Sequence, residues 1–380
     1  MKEQEIELLT SFRKELHRHP ELSGEEVETA SRVISFLKPT NPTAVHAGIG
    51  GNGLVVVYDS GLPGPSIGFR CELDALPIAE RNSFGHKSEN GGISHKCGHD
   101  GHMAIVAGVG LHCKENPVRR GKLTLIFQPA EETGYGAESM LNDPKLENFL
   151  PKRLFALHNV PGFETGTVIC KKDVACPASE GLIFSLEGKT SHAGQPEKGN
   201  NPAPVMAAIQ LKAQELHDQH WQNQNRTKIT TVMMDLGGRA FGVNPGKGLI
   251  AFTLRSDSNE ELASVRSELV SFAKAKCDVA GVRLSMEESD PFKAVINDPD
   301  TFEAIQWAAV SQGLAFEVAE TPFPWSEDFG RFSEVTSTGF FGLGAGLASP
   351  ELHHDTYDFP DELIPVGTGL FLELGKELWA

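Results

Sequence analysis

The chain has 380 residues and is acidic, with 51 Asp and Glu against 34 Lys and Arg and a formal net charge of −17 at pH 7. This charge is expected to repel nucleic acid and anionic membrane surfaces, so neither is predicted as a partner. No apolar run reaches the roughly 18 residues that a membrane-spanning helix needs, residues 1–6 lack the apolar core of a secretory signal, and six cysteines are too few for a disulfide scaffold, which together favour the reducing cytoplasm.

The N-terminal segment predicts two helices. Residues 2–17 place apolar side chains at broadly helical spacing with charges between them. A second helix is expected after residues 23–26, where Ser23 can cap it and the glutamates complement the helix dipole. His17 and His19, near the end of the first helix, are interpreted as structural because an imidazolium complements the dipole there.

The first chemical signal is the glycine-rich run at residues 95–102, which contains Cys97 and His99. Thiolate and imidazole both bind ions of the zinc, manganese and nickel class, and glycine lets the backbone fold tightly around them. Alone, such a pair is more often a buried thiol and a surface imidazole. His102 is expected to cap the following helix or to support a ligand rather than to bind metal itself. The metal interpretation therefore needs partners elsewhere in the chain.

Two adjacent glutamates follow the next apolar segment. Residues 123–127 predict a buried parallel strand that ends shortly before Glu131 and Glu132. Because active sites of open parallel sheets lie at strand ends, one carboxylate could bind metal while its neighbour takes a proton from a water. An acidic pair that opens the next helix would explain the same two residues without any chemistry.

Single histidines end two further segments. His158 follows the apolar residues 154–157, and His353 and His354 come after the glycine-rich residues 342–346. A lone histidine is more often structural than ligating. Four donors at strand ends of one chain nevertheless predict a common site.

The middle of the chain predicts a different order of helices and strands from its flanks. Residues 177–288 predict the order βαββαβ, the ferredoxin-like pattern, and are interpreted as an inserted α+β domain. The flanks, residues 1–176 and 289–380, alternate short apolar strands with helices and predict one α/β catalytic, metal-binding domain with a mixed sheet and helices on both faces. A chain of this length is long enough for two such domains.

Seven motifs, in order, make the sequence similar to one enzyme family. They are LHRHPELS at 16–23, FRCELDALP at 69–77, CGHDGH at 97–102, QPAEE at 128–132, SHAGQP at 191–196, SEDF at 326–329 and LH at 352–353. The chain resembles the aminoacylase and hippurate hydrolase branch of the two-metal zinc-peptidase superfamily. That superfamily also contains auxin-conjugate hydrolases and N-acetyl-diaminopimelate deacetylases.

The resemblance implies a site for two divalent metal ions, with zinc, manganese, nickel and cobalt all compatible with mixed sulfur, nitrogen and oxygen donors. The implied ligands are Cys97, His99, Glu132, His158 and His353. Glu131 is the implied general base, and His354 is set aside because the spacing from His353 to residues 357–359 matches the family pattern. Asp74 is expected to orient a ligand by hydrogen bonding, although an aspartate that only caps a turn explains it equally well.

The resemblance also assigns roles to the inserted domain, which is expected to act as a lid and as a dimerisation domain. His192 is expected to reach the substrate and to stabilise the charge that develops on the carbonyl oxygen. The helix predicted over residues 203–217 and an adjacent strand are expected to form a homodimer interface.

The predicted function is metal-dependent hydrolysis of a small linear amide, an N-acyl amino acid with an acetyl or aromatic acyl group, or a short peptide. Two cations depress the pKa of a shared water toward neutrality, and Glu131 takes the proton and passes it to the leaving amine. A dipeptidase or carboxypeptidase on the same scaffold is an alternative. A cysteine hydrolase with Cys97 as nucleophile and a metal-binding protein without activity are two others.

Three departures from the usual family pattern leave the substrate open. Glu72 stands where aspartate is usual, and residues 242–245 replace an Asn-Val-Ile-Pro segment that often meets substrate. His354-Asp355 replaces Ser-Pro. None of these departures removes an implied ligand or the implied base.

Overall fold

The computed structural model describes residues 1–380, which form two compact units. The larger unit comprises Met1–Ala175, Val295–Pro322 and Asp328–Ala380. The smaller unit comprises Cys176–Ala294 together with the short segment Phe323–Glu327. The smaller unit thus includes all of residues 177–288 and draws one further segment from near the C-terminus.

The secondary structure consists of eight α-helices and sixteen strands. The helices are α1 (Glu3–Arg18), α2 (Val27–Leu37), α3 (His99–Glu115), α4 (Gly136–Asn142), α5 (Ala203–His220), α6 (Asn259–Ala280), α7 (Pro299–Ser311) and α8 (Leu363–Leu374). The strands are β1 (Ala44–Ile49), β2 (Gly53–Asp59), β3 (Ser66–Glu72), β4 (Lys122–Gln128), β5 (Arg153–Val160), β6 (Val168–Cys170), β7 (Asp173–Cys176), β8 (Ala178–Glu187), β9 (Ser191–His192), β10 (Lys228–Leu236), β11 (Val243–Asn244), β12 (Lys247–Ser256), β13 (Arg283–Phe292), β14 (Val295–Asn297), β15 (Phe316–Val318) and β16 (Ser337–Gly344). No helix combines the length and the apolar stretch that a bilayer crossing requires.

The larger unit is built on an eight-stranded mixed sheet with the order β1-β2-β4-β3-β5-β16-β6-β15. The four central strands β4, β3, β5 and β16 run parallel to one another. Each of them is buried along almost its whole length, as expected for strands covered on both faces. Strand β4 was predicted to be parallel, and this is true on its β3 side only, because β2 of the β1–β2 hairpin pairs with it antiparallel. The predicted mixed α/β class is confirmed.

The start of α2 differs from the sequence prediction. The Ser23 hydroxyl does not cap the helix but donates to Asp74 Oδ2 at 2.7 Å. The carboxylate of Glu21 accepts from the first-turn N–H groups of Glu28 and Thr29 instead, at 3.3 and 2.7 Å. The cap prediction was therefore wrong, since a buried carboxylate competes for the same hydroxyl.

The smaller unit has the predicted ferredoxin-like pattern. Its four-stranded sheet has the order β10-β12-β8-β13 with antiparallel pairing throughout, and α5 and α6 pack against it and against each other. Ser258 begins α6 as a true cap, because its Oγ accepts from the N–H of Glu261 at 3.2 Å. A separate two-stranded pair, β9 with β11, places His192 opposite Val243.

Candidate metal centre

Four ligand-bearing segments of the larger unit meet beside the carboxyl ends of the parallel strands. Cys97 and His99 lie on either side of Gly98, whose φ of +95° is a left-handed conformation that favours glycine. His158 lies near the end of β5, beside Gly342 of the neighbouring strand β16. The glutamates follow β4, and His353 follows β16 after a longer loop.

Six side chains converge there, and we call them the donor cluster: Cys97, His99, Glu131, Glu132, His158 and His353. Ligand atoms of Cys97, His99 and His158 all lie within 4.8 Å of one another. The same holds for Cys97 with Glu132 and His353, and for His99 with Glu131 and Glu132. The overlapping groups bring together all five ligands that the resemblance implied, with the implied base among them. His354 belongs to none of these groups and instead contacts Thr356 and Asp355.

Burial of the donor cluster is graded. His99 is fully buried, and Cys97, Glu131 and His158 are each less than a tenth exposed. The side chain of His353, in contrast, is 51% exposed. The cluster therefore has a buried floor and opens to solvent on the side of His353.

Hydrogen bonds aim the imidazole nitrogens of the cluster. His99 Nδ1 lies 2.9 Å from the carbonyl oxygen of Asp74, and His158 Nδ1 lies 2.9 Å from the carbonyl oxygen of Asn159. Each Nδ1–H can donate to its carbonyl, which leaves Nε2 as the electron-pair donor. His158 Nε2 lies 3.4 Å from Cys97 Sγ.

His99 supplies the test of whether this cluster suits a cation. Its Nε2 is buried without a hydrogen-bond partner and lies 3.9 Å from carboxylate oxygens of both Glu131 and Glu132. A buried nitrogen in this state costs free energy unless something binds it. Sulfur, imidazole and carboxylate donors together match zinc, manganese and related divalent ions, so the residues present fit such a metal.

The charges around the cluster also favour a bound cation. Burial alone would lower the pKa of His99, but the hydrogen bond with Asp74 and the charges of Glu72, Asp74 and Glu132 outweigh it and raise that pKa to about 10. Burial raises the pKa of Cys97 well above its ordinary value, and the nearby charges of Glu132 and Glu131 add to this effect. The carboxylates thus create a site that favours positive charge.

Asp74 lies outside the donor cluster and is close to two of its members, Glu132 and His99. Its Oδ2 accepts from the backbone N–H of Glu132 at 3.0 Å as well as from Ser23, and its Oδ1 lies 3.6 Å from His99 Nδ1. Burial would raise the pKa of Asp74, but these contacts, with His99 foremost, lower it. The contacts of Asp74 are those of a residue that orients two members of the cluster.

Sequence reasoning missed much of the surrounding polar structure. His102 was expected to cap α3 or support a ligand, and it lies between Glu72 Oε2 at 2.7 Å and Asn159 Oδ1 at 2.5 Å. Asn159 also donates to the hydroxyl of Tyr357 at 2.6 Å. Glu72 drew notice only as a departure from the family motif, Tyr357 only as part of the spacing that selected His353, and no local pattern marked Asn159.

His192 belongs to the smaller unit and is exposed on β9. Its Nδ1 accepts from the backbone N–H of Gly194 at 3.0 Å. Its role toward substrate remains a prediction.

Comparison with known proteins identifies the family. Residues 68–377 match the model of peptidase family M20/M25/M40. An uncharacterized hydrolase of Staphylococcus saprophyticus is 27% identical over 347 residues, which cover 90% of this chain and 88% of that protein. A solved structure from methicillin-resistant Staphylococcus aureus, described as a candidate aminohydrolase, is 26% identical, has a TM-score of 0.87 and matches over 100% of both chains.

A second solved structure shares the fold at lower identity. It is the YXEP protein of Bacillus subtilis, described as a dinuclear metal binding peptidase from the M20 family, with 24% identity, a TM-score of 0.82 and 98% coverage of both chains. These matches confirm the resemblance seen in the sequence motifs. The chain belongs to peptidase family M20/M25/M40 and is a hydrolase of that family.

Proposed function

We propose that this protein is a metal-dependent amidohydrolase that cleaves the amide bond of N-acyl amino acids with an acetyl or aromatic acyl group. The observation that carries the proposal is the convergence of sulfur, nitrogen and oxygen donors from four separate segments beside Glu131. Paired ions of this kind suit hydrolysis, since the substrate needs both an activated water and a polarised carbonyl.

The proposed metal ligands are the five residues that the resemblance implied, all of them in the donor cluster. Cys97, His99, Glu132, His158 and His353 would hold two divalent cations, with zinc, manganese, nickel and cobalt as the candidates. When bound, such ions polarise the amide carbonyl and lower the pKa of a water toward neutrality.

Glu131 is the proposed proton carrier. Its carboxylate lies beside His99, and one of its oxygens accepts from the backbone N–H of Asp328 at 3.4 Å, which holds the side chain in place. As general base it takes the proton of the attacking water, and as general acid it gives that proton to the leaving amine. Asp74 keeps the ring of His99 and the backbone of Glu132 in position, and His192 is proposed to stabilise the charge on the carbonyl oxygen.

A cysteine nucleophile is the weaker alternative. A catalytic thiol needs a lowered pKa from a positive neighbour or a helix N-terminus. Burial and the acidic neighbours Glu132 and Glu131 raise the pKa of Cys97 instead. Its surroundings favour a metal ligand over a nucleophile.

A substrate panel tests the proposal. The protein is loaded with zinc, manganese, cobalt or nickel and assayed on N-acetyl amino acids, N-benzoyl amino acids and dipeptides. We expect turnover of the N-acyl substrates that chelators abolish and that thiol alkylation of the loaded enzyme leaves intact. Preferential cleavage of dipeptides would replace this proposal with the peptidase alternative, and activity that survives metal removal would overturn both.

The assembly and location are also proposals. Strand β10 lies at the edge of its sheet and exposes Val232, Met233 and Met234, and Leu211 of α5 is 71% exposed. An exposed apolar edge of this kind suits a two-fold dimer through α5 and β10. Light scattering on the wild type and on Met234→Lys tests it, with a dimer expected for the first and a monomer for the second. All six cysteines are buried and none forms a disulfide, which suits a reducing cytoplasm.

A further inference from the structure

Asn159 lies where three segments of the donor cluster meet. It follows His158 on β5 and is fully buried. Its Oδ1 lies 2.5 Å from Nε2 of His102, which belongs to α3 and follows His99 by one turn. Its Nδ2 donates to the hydroxyl of Tyr357 at 2.6 Å, and Tyr357 stands four residues after His353. One side-chain amide therefore joins β5, the first turn of α3 and the C-terminal ligand segment.

The same amide lies directly against the turn that carries Cys97 and His99. A Cβ placed on Gly98 would lie 2.5 Å from Asn159 Oδ1 and 2.9 Å from both Cγ and Nδ2. Such close contact requires glycine on one side and a compact planar group on the other. Any movement of Asn159 is therefore passed to the backbone between the two ligands.

Contacts behind His102 fix the direction of its ring. Glu72 Oε2 lies 2.7 Å from His102 Nδ1, and the guanidinium of Arg70 pairs with the other oxygen of Glu72. All three side chains are at most 1% exposed. Because a lost partner is costly in such a dry environment, His102 presents its Nε2 to Asn159 in one orientation.

The backbone of Asn159 adds a second link. Its carbonyl oxygen accepts from His158 Nδ1, so that the residue aims one ligand through its main chain while its side chain supports the others. His353 is tied to the turn as well, because its N–H donates to the carbonyl oxygen of Lys96 at 2.8 Å. The placement of Asn159 thus bears on every segment of the cluster except the one that carries the glutamates.

We propose that Asn159 is a positioning residue that couples the placement of Cys97 and His99 to that of His158 and His353. Its side chain acts through its contacts with Gly98, His102 and Tyr357. Glu72 in turn fixes the ring of His102. This inference rests on the proposed function, because the proposed function assigns the four side chains as metal ligands. Its role is to set the spacing of the donors, so its loss should change the metal environment as well as the rate.

The test uses cobalt as a spectroscopic probe of the full-length protein. Asn159→Leu keeps the branching of the side chain, adds bulk and removes both side-chain hydrogen bonds, and the Asn297→Leu control adds the same bulk. Asn159→Asp keeps the shape and both contacts because the Tyr357 hydroxyl can donate instead. For each variant, cobalt bound per chain, the visible absorption with its thiolate band, and kcat and KM on an N-acetyl amino acid are measured. Asn297→Leu is the matched control, since Asn297 is also buried but bonds to the backbone of Phe340 and Lys171.

We expect Asn159→Leu to alter the thiolate band and to lose about 10- to 100-fold in cobalt affinity or kcat. Asn159→Asp should restore most of the wild-type spectrum, and Asn297→Leu should leave the spectrum unchanged even if it lowers stability. A folded Asn159→Leu protein with the wild-type spectrum, stoichiometry and kcat would overturn the inference. If that variant fails to fold, Tyr357→Phe decides, since it removes one hydroxyl and should shift the same band in the same direction; an unchanged band would count against the inference.

The wild-type control separates this inference from the proposed function. A wild-type protein that binds no cobalt would remove the metal assignment, and the role of Asn159 with it. A wild-type protein that binds cobalt but cleaves none of the substrates would contradict only the proposed activity. The spectra of the Asn159 variants would still decide the positioning role in that case.

Discussion

Two buried polar clusters of the larger unit share one short stretch of chain and differ in how their charges are matched. The first is the donor cluster. The second, which we call the Arg13 network, consists of Arg13, His17, Glu80, Lys96, Asp100 and Asp358. Lys96 adjoins Cys97 and Asp100 adjoins His99, so neighbouring residues serve different clusters.

In the Arg13 network each positive group faces a carboxylate. Arg13 contacts Asp100 at 3.1 Å and Asp358 at 2.7 Å. His17 lies between Asp100 and Glu80 at 2.9 and 3.1 Å, and Lys96 Nζ contacts Glu80 at 2.5 Å. In the donor cluster two carboxylates and a thiol surround His99, whose Nε2 has no hydrogen-bond partner. Matched buried charges indicate a structural element, and converging donors indicate a site for a ligand.

The largest expected effect is in the donor cluster. Glu131→Gln keeps the shape of the side chain and removes the base, so kcat should fall by about 10²- to 10⁴-fold while metal content and thermal stability stay near wild type. The measurement is kcat on an N-acetyl amino acid together with metal analysis of the purified protein. Glu138→Gln, on the exposed side of α4, serves as control and should keep full activity. Near-wild-type turnover of Glu131→Gln would disprove the assignment of the base.

The Arg13 network should respond in stability. Arg13→Met would remove the guanidinium that contacts both Asp100 and Asp358, and breaking a buried ion pair in this way lowers the free energy of unfolding by about 3–5 kcal/mol. Denaturant unfolding followed by circular dichroism measures the change.

A surface pair provides the control for that experiment. Arg153 and Glu377 are 3.4 Å apart and partly exposed, so Arg153→Met should change the free energy of unfolding by less than about 1 kcal/mol. If the Arg13→Met protein kept the wild-type stability but no longer bound metal, the Arg13 network could not be a structural element separate from the donor cluster.

His192→Ala extends the comparison to the smaller unit. If His192 stabilises the charge on the carbonyl oxygen, kcat should fall by about 10²- to 10³-fold with the metals retained. His354→Ala is the matched control, because His354 is exposed and lies outside the donor groups. Equal kinetics for the two variants would remove His192 from the mechanism.

The sequence predicted the elements with strong periodicity and the donors that stand next to them. The first helix was expected over residues 2–17 and spans Glu3–Arg18, and the βαββαβ order of the smaller unit follows the prediction. The antiparallel neighbour of β4 was not predicted, because burial makes a strand uniformly apolar whatever the direction of its partner. Ser23 failed as a cap because Asp74, 51 residues away in sequence, holds its hydroxyl.

Contacts between segments far apart in the chain also limited the prediction of the site. The donors could be proposed because Cys, His and Glu are rare as a set at strand ends and match family motifs. Asn159, Tyr357 and Glu80 could not, since their roles depend on contacts with segments that lie far away in the chain. His17 lies in the last turn of α1, as expected, but its burial between the carboxylates of Asp100 and Glu80 could not be predicted from the helix alone.

The smallest effect concerns His17 and tests the Arg13 network by pH. Burial alone would lower the pKa of His17, but the charge and hydrogen bond of Asp100 and the hydrogen bond with Glu80 raise it from 6.5 to about 9. Since the folded protein holds this proton more tightly than the unfolded chain, its contribution to stability is full below about pH 6.5 and is lost as the pH rises through about 9. The contribution is about 3 kcal/mol at most. The test compares the unfolding free energies of the wild type and His17→Gln from about pH 6 to 9.5, and the two should converge as the pH rises. Parallel curves would mean that His17 is neutral in the folded protein. Arg13 and Lys96 would then be the only cations of the network.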